Sequence, residues 1–118
     1  NSVFHRCWRT GDTTLTLPGG SGIEGIGRPQ VEPSFLPELV DEMVAVPNAL
    51  SLAALPVLEE LLGRRVGGST GTLFVAVCRL VARMRAAGER GSVASLICDS
   101  GELYRDTYHD PAWLAAQG

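Results

Sequence analysis

Gly67-Gly68-Ser69-Thr70-Gly71-Thr72 separates two helical runs, one ending in Arg64-Arg65-Val66 and one, very apolar, beginning near Leu73. Glycines at 67, 68 and 71 permit a tight turn and let a ligand approach where no Cβ intervenes. Ser69, Thr70 and unpaired backbone N–H groups would then stand at a helix N-terminus, where the dipole is positive and donors are free. That is the composition of a ligand cradle. It is also the composition of a loop with a Ser or Thr N-cap, although no Glu or Gln follows three residues on to complete a capping box.

Downstream, Leu73–Ala87 reads as the strongest helix, apolar almost all round with Arg79 and Arg83 as a narrow polar stripe. Such a helix is expected to be buried on most sides of a layered domain. After a polar turn at Gly88–Gly91, the run Ser92–Cys98 has the continuous apolar character of a central parallel strand. Asp99 and Ser100 fall at its carboxyl end, where ligands bind in open α/β sheets. Asp99 with Glu102 also reads as a helix N-cap. Gly101–Tyr108 is expected to be helical, and Asp110-Pro111 opens a last short helix through Trp113 and Leu114.

Upstream, Leu50, Leu55, Leu58, Leu61 and Leu62 give an apolar helix face, with Asn48 as N-cap and Gly63 as the stop. Pro56 lies inside that pattern and must kink or restart the helix. Val44-Ala45-Val46 reads as a short buried strand and Leu36–Met43 as a short helix entered through Pro37. Residues 28–37 are extended, because three prolines forbid helix there. Arg28 reads as an exposed arginine, with attraction of a substrate carboxylate or sulfonate as the alternative. Ile23–Ile26 reads as a brief strand running into Gly27, and Gly25 and Gly27 allow a close backbone approach. Residues 1–22 are irregular, with Thr13–Leu17 as a possible short strand and Trp8 as a packing residue.

The order strand, helix, strand, helix, glycine loop, helix, strand, helix implies α/β with a mostly parallel sheet. Three motifs, Glu24-Gly25-Ile26-Gly27, Gly67–Thr72 and Asp99-Ser100-Gly101-Glu102-Leu103-Tyr104, stand in one order along the chain. Together they resemble the C-terminal part of a pyridoxal-phosphate cysteine synthase, a family that includes cystathionine β-synthase and has fold type II. The resemblance covers nearly the whole chain. It implies a single α/β unit over residues 1–118, three-layered and incomplete, with residues 1–20 as a surface excursion near the active-site mouth and 21–118 as sheet and helices. It implies pyridoxal 5'-phosphate as cofactor, with Ser69 hydrogen-bonding its pyridine nitrogen, and Gly68, Thr70, Asp99 and Ser100 lining that side. It places the backbone of Gly25, Ile26 and Gly27 beside the amino-acid substrate. The family's phosphate cup is a different glycine loop, so Gly67–Thr72 is not read as a phosphate site.

The implied activity is β-replacement on an activated serine, giving cysteine or a related thioether or sulfocysteine. A neutral serine hydroxyl leaves the pyridine ring a weaker electron sink than a carboxylate would, which suits elimination and addition at Cβ. The implied partners are a small amino-acid substrate, a sulfur nucleophile and, for the full-length protein, a second copy in a homodimer. The alternative is a non-catalytic α/β module binding a phosphate or nucleotide, against which stands the lack of G-x-x-x-x-G-K-[ST] and of G-x-G-x-x-G after a strand. All ten basic residues are arginines, and pyridoxal-phosphate catalysis on amino acids uses a lysine. With that lysine absent and Asn1 in place of Met, the expectation is an inactive fragment whose catalytic lysine lies upstream.

The chain has 118 residues, 45% hydrophobic and 19% charged, with net charge −3, as fits one globular unit. Mild acidity and scattered aromatics give no footprint for nucleic acid. No apolar run is long enough for a membrane helix and no signal-peptide pattern opens the chain. Cys7, Cys78 and Cys98 form no C-x-x-C pair, which points to a reduced, cytoplasmic setting with Cys78 and Cys98 as small core residues. His5 with Cys7, and His109 with Asp110, are too sparse for a metal site.

Overall fold

The computed structural model describes residues 2–117, which fall into two compact units, one up to Ala45 and one from Val46. Each is built around its own small core.

The first unit opens with α1, Phe4–Thr10, in a region expected to be irregular. Its helix stops at Gly11, whose φ of 70° is left-handed and whose N–H donates to the Cys7 carbonyl at 2.7 Å. Val3, Cys7 and Ile23 are the buried apolar residues. The chain is folded back on them by Val3 N–H to Arg28 O at 3.0 Å and Leu17 N–H to Pro29 O at 2.7 Å. Thr16 and Gln30 form a single antiparallel bridge, so the strand considered at Thr13–Leu17 is one bridge long. Trp8 packs as expected and its indole N–H donates to Val40 O at 2.9 Å. The helix expected over Leu36–Met43 reduces to one 3₁₀ turn, Pro37–Leu39, whose flanking Leu36 and Val40 are not helical.

The second unit is helical. α2 runs Asn48–Ala53 and α3 runs Leu55–Leu62. Pro56 restarts the helix, standing in the first turn of α3, where its missing N–H costs nothing. Asn48 is the first helical residue and the cap position is Pro47, one residue earlier than the sequence implied. Gly63 ends α3 at φ 65°. α4 spans Gly68–Ala86, a 3₁₀ turn follows at Gly101–Tyr104, and α5 spans Pro111–Ala116, capped by the Asp110 carboxylate on Ala112 and Trp113 N–H. Ala54, Leu55, Leu58, Val66, Tyr104 and Tyr108 form the core, with Phe74, Val75 and Trp113 packed against it. Tyr104 stacks on Tyr108 at 4.8 Å and Tyr108 meets the edge of Trp113 at 5.5 Å.

The described residues contain no parallel sheet. Ile23–Ile26, Val44–Val46 and Ser92–Cys98 are not strands, and apart from Thr16 with Gln30 there is one further bridge, antiparallel, between Val66 and Ser100. A strand is defined by its ladder, and none of those three segments forms one among the described residues. α4 is covered over its first turns, and its later length is largely exposed. Its buried residues are confined to Gly68, Ser69, Thr70 and Gly71, and Val81 is exposed. Cys78 and Cys98 are exposed, not core, because one lies on the uncovered length of α4 and the other ends the unpaired apolar run.

Candidate functional site

The glycine stretch is not a loop before a helix; it is the helix's first turn. α4 begins five residues before Leu73, with Gly67 as its N-cap. Gly67 has no side chain to offer, and no side-chain cap bond is present among the described residues. Thr70 and Gly71 N–H turn back to Gly67 O at 3.1 and 3.4 Å. Among the described residues the N–H groups of Gly68 and Ser69, buried residues both, have no acceptor at the positive end of this 19-residue helix. Ser69 is 6% exposed, and among the described residues no buried side-chain nitrogen or oxygen lacks a hydrogen-bond partner. A buried helix end with unused donors requires an acceptor.

Close packing forces glycine at Gly71 and Gly67, as it does at Gly101 against the Arg65–Val66 backbone. A Cβ on Gly71 would collide with the carbonyl oxygen of Ser51 on α2, so α4 crosses α2 backbone to backbone. The hydroxyls of Ser51 and Thr72 lock that crossing at 2.7 Å. A Cβ on Gly67 would stand 2.9 Å from Tyr104 Cε2 and 3.3 Å from Asp99 Cβ.

The Asp99 segment converges on this turn. Gly67 N–H donates to Asp99 O at 2.9 Å, Gly101 N–H to Arg65 O at 3.1 Å, and Cys98 N–H to the Thr70 hydroxyl at 3.0 Å. Gly68, Ser69, Thr70, Asp99 and Ser100 are therefore brought together, although no sheet does it. Their side chains divide the work. Thr70 is used structurally, as acceptor from Cys98. Asp99 does not cap the following helical turn; its carboxylate accepts from Tyr104 OH at 2.9 Å. Ser100 caps that turn instead, accepting from Glu102 N–H at 3.4 Å. Ser69 contributes a neutral hydroxyl in the first turn of α4. The contacts of Tyr104 with Asp99, and of His109, whose Nε2 lies 3.0 Å from Val66 O, were not legible from sequence.

In the first unit, Gly25, Ile26 and Gly27 line a cavity of about 440 Å³ together with Phe4, Arg28 and Phe35. Gly25 and Gly27 adopt φ of 80° and 74°, conformations that a side chain disfavours. The Phe4 and Phe35 rings stack at 4.6 Å to form one wall. Arg28 is half-exposed and pairs with Glu32 at 3.5 Å.

No family model matches the chain. Individual proteins do. It is 51% identical, over all of its 118 residues, to L-cysteine desulfhydrase Cds1 of Mycobacterium tuberculosis, covering 32% of that protein. It is 33% identical over 98 residues to N-(2-amino-2-carboxyethyl)-L-glutamate synthase of Ralstonia nicotianae, covering 28% of it. It is 31% identical over 117 residues to a Caenorhabditis elegans protein named, by inference, as pyridoxal-phosphate dependent. The chain thus spans about a third of the length of the relatives it matches. It belongs to the pyridoxal-phosphate-dependent enzymes of fold type II, whose cofactor is pyridoxal phosphate. Within that class its relatives are enzymes, with a desulfhydrase and a synthase among them.

Proposed function

We propose that this chain supplies the ring side of the cofactor site in a pyridoxal-phosphate lyase of cysteine metabolism that breaks or makes the bond at Cβ. The observation that carries the reading is Ser69. Ser69 is a buried residue with a neutral hydroxyl, in the first turn at the uncapped positive end of α4. Those features fit an uncharged aromatic nitrogen, which accepts one hydrogen bond and brings no charge of its own. A protonated nitrogen would instead meet the helix's positive end, at a cost of up to about 2 kcal/mol in a partly buried setting.

When bound, pyridoxal phosphate serves as an electron sink for charge developing at Cα. Ser69 sets how deep that sink is. By donating without a charge it keeps the ring nitrogen unprotonated, which favours loss or addition of a group at Cβ over transamination or racemisation. Gly68 contributes an orphan N–H and the absence of a Cβ. Thr70 and Ser100 hold the backbone from which Ser69 projects. The backbone of Gly25, Ile26 and Gly27 forms the amino-acid subsite in the cavity of the first unit. The lysine that attaches the cofactor belongs to the parent protein beyond these residues, and this chain alone does not turn over.

Two of the three relatives have names that point to a three-carbon amino-acid unit. One name specifies removal of sulfide from L-cysteine, and the other a 2-amino-2-carboxyethyl group joined to glutamate nitrogen. The 51% identity along the full chain favours sulfide elimination from L-cysteine, with pyruvate and ammonia as the other products. Cysteine synthesis, the direction implied by sequence motifs alone, uses the same Cβ chemistry in reverse. The test is the full-length protein with added cofactor. Sulfide and pyruvate should appear in equal amounts from L-cysteine, faster than cysteine forms from O-acetylserine and sulfide. Formation of cysteine as the faster reaction would reverse the assignment of direction, and neither reaction would refute the reading.

A further inference from the structure

A carboxylate stands beside an uncapped helix N-terminus and does not cap it. Asp99 Cβ lies 3.3 Å from the point where a Gly67 side chain would begin, and Gly67 is the N-cap of α4. Aspartate is among the best N-cap side chains, and negative charge is favoured at the positive end of a helix. The orphan N–H groups of Gly68 and Ser69 would ordinarily attract it. The carboxylate instead accepts from Tyr104 OH at 2.9 Å. Tyr104 has no freedom to let it go. The ring is 7% exposed, is stacked on Tyr108 at 4.8 Å, and is wedged against Gly67 so closely that a Cβ there would collide with Cε2.

We propose that Tyr104 is a positioning residue that holds the Asp99 carboxylate off the N-terminus of α4 and so keeps the Gly68 and Ser69 donors open for the cofactor ring. The last clause rests on the function proposed above; the restraint on Asp99 does not. Two consequences follow. An Asp99 carboxylate released onto α4 would occupy the donors and compete with the cofactor. It would also bring a negative charge to the ring nitrogen and favour its protonation, undoing what the neutral Ser69 provides. Tyr104 therefore works through Asp99, not by touching the ring.

The test uses the full-length protein, with and without cofactor, and the variants Tyr104→Phe, Asp99→Ala and both together. Tyr104→Phe keeps the stacked ring and removes only the hydroxyl. In the cofactor-free protein, exchange of the Gly68 and Ser69 amide hydrogens should slow about tenfold in Tyr104→Phe, as Asp99 moves in to cap them. It should return to the wild-type rate in the double variant. The dissociation constant for pyridoxal phosphate should rise about tenfold in Tyr104→Phe, and the same change on the Asp99→Ala background should alter it less than about twofold. Unchanged amide exchange in Tyr104→Phe, or an equal loss of affinity in both backgrounds, would overturn the proposal, since a purely packing role gives that result. Ser69→Ala is run alongside. If it leaves cofactor affinity and spectrum untouched, the ring-nitrogen reading of Ser69 fails, while the exchange measurement still decides the Asp99 restraint.

Discussion

Replacing Gly71 by alanine tests the geometry on which Ser69 depends. Alanine is the better helix former by about 1 kcal/mol, so propensity alone predicts stabilisation. The contact predicts the reverse. The new methyl would overlap the Ser51 carbonyl oxygen and lie 3.1 Å from its carbon and 3.2 Å from Leu55 Cδ2. The obstacle is helix backbone, so it cannot rotate aside; α2 and α4 must separate. Overpacking of this kind costs about 1–3 kcal/mol. Separation also breaks the Ser51–Thr72 bond, worth about 1 kcal/mol net. Set against the propensity gain, the local destabilisation comes to about 1–3 kcal/mol. Hydrogen exchange in peptides covering α2 and the first turn of α4 should therefore accelerate by about 5- to 150-fold in the full-length protein. Gly20→Ala is the control, since nothing lies within 4 Å of its added Cβ. Exchange as slow as wild type in Gly71→Ala, or slower, would refute the backbone crossing.

Ser69→Ala should remove one neutral hydrogen bond, about 1 kcal/mol, leaving cofactor bound and activity modestly reduced, whereas Ser69→Asp should be far more damaging because it places a charge in a buried turn; steady-state kinetics of the two variants check the ranking. The isolated 118-residue chain, treated with pyridoxal phosphate and borohydride, should carry no internal adduct by peptide mass mapping, because it has no lysine. It should also bind hydrophobic dyes and self-associate, as Leu61, Leu96 and Leu103 are 67%, 73% and 74% exposed, and sedimentation will show this. The Thr14 hydroxyl, then the Thr14 N–H, hold the Asp12 carboxyl below its usual range. Its ionised form is thus the one stabilised on folding, a contribution present above the unfolded pKa and lost as pH falls through the folded one. Thr14→Ala should raise the Asp12 pKa towards the ordinary value in an NMR titration.

Local signals in the sequence carried the helices well. Gly63, Pro56 and Asp110 each act through their own backbone or side chain, so α3 and α5 begin or end where those residues say. Signals that depend on partners misled. Ser92–Cys98 has the apolar continuity of a buried strand, yet continuity cannot supply the neighbour that makes a strand. The same reasoning placed Cys78 and Cys98 in a core that the described residues do not build. The glycine stretch reads as a loop because its glycines permit a tight turn, but Gly71 is glycine for the sake of α2, which periodicity cannot reveal. The meeting of Gly67 with Asp99 was legible as a convergence. The hydrogen bond from Tyr104 that turns the Asp99 side chain was not, since it depends on a stacking of Tyr104 on Tyr108 that no pattern encodes.

The central claim is that an uncharged Ser69 hydroxyl faces an uncharged ring nitrogen. The direct measurement is the ¹⁵N chemical shift of the ring nitrogen in full-length protein loaded with labelled pyridoxal phosphate. The wild type should give the shift of an unprotonated, hydrogen-bonded pyridine, displaced in Ser69→Ala towards that of a free one. A pyridinium shift in the wild type, or a shift indifferent to Ser69→Ala, would contradict it.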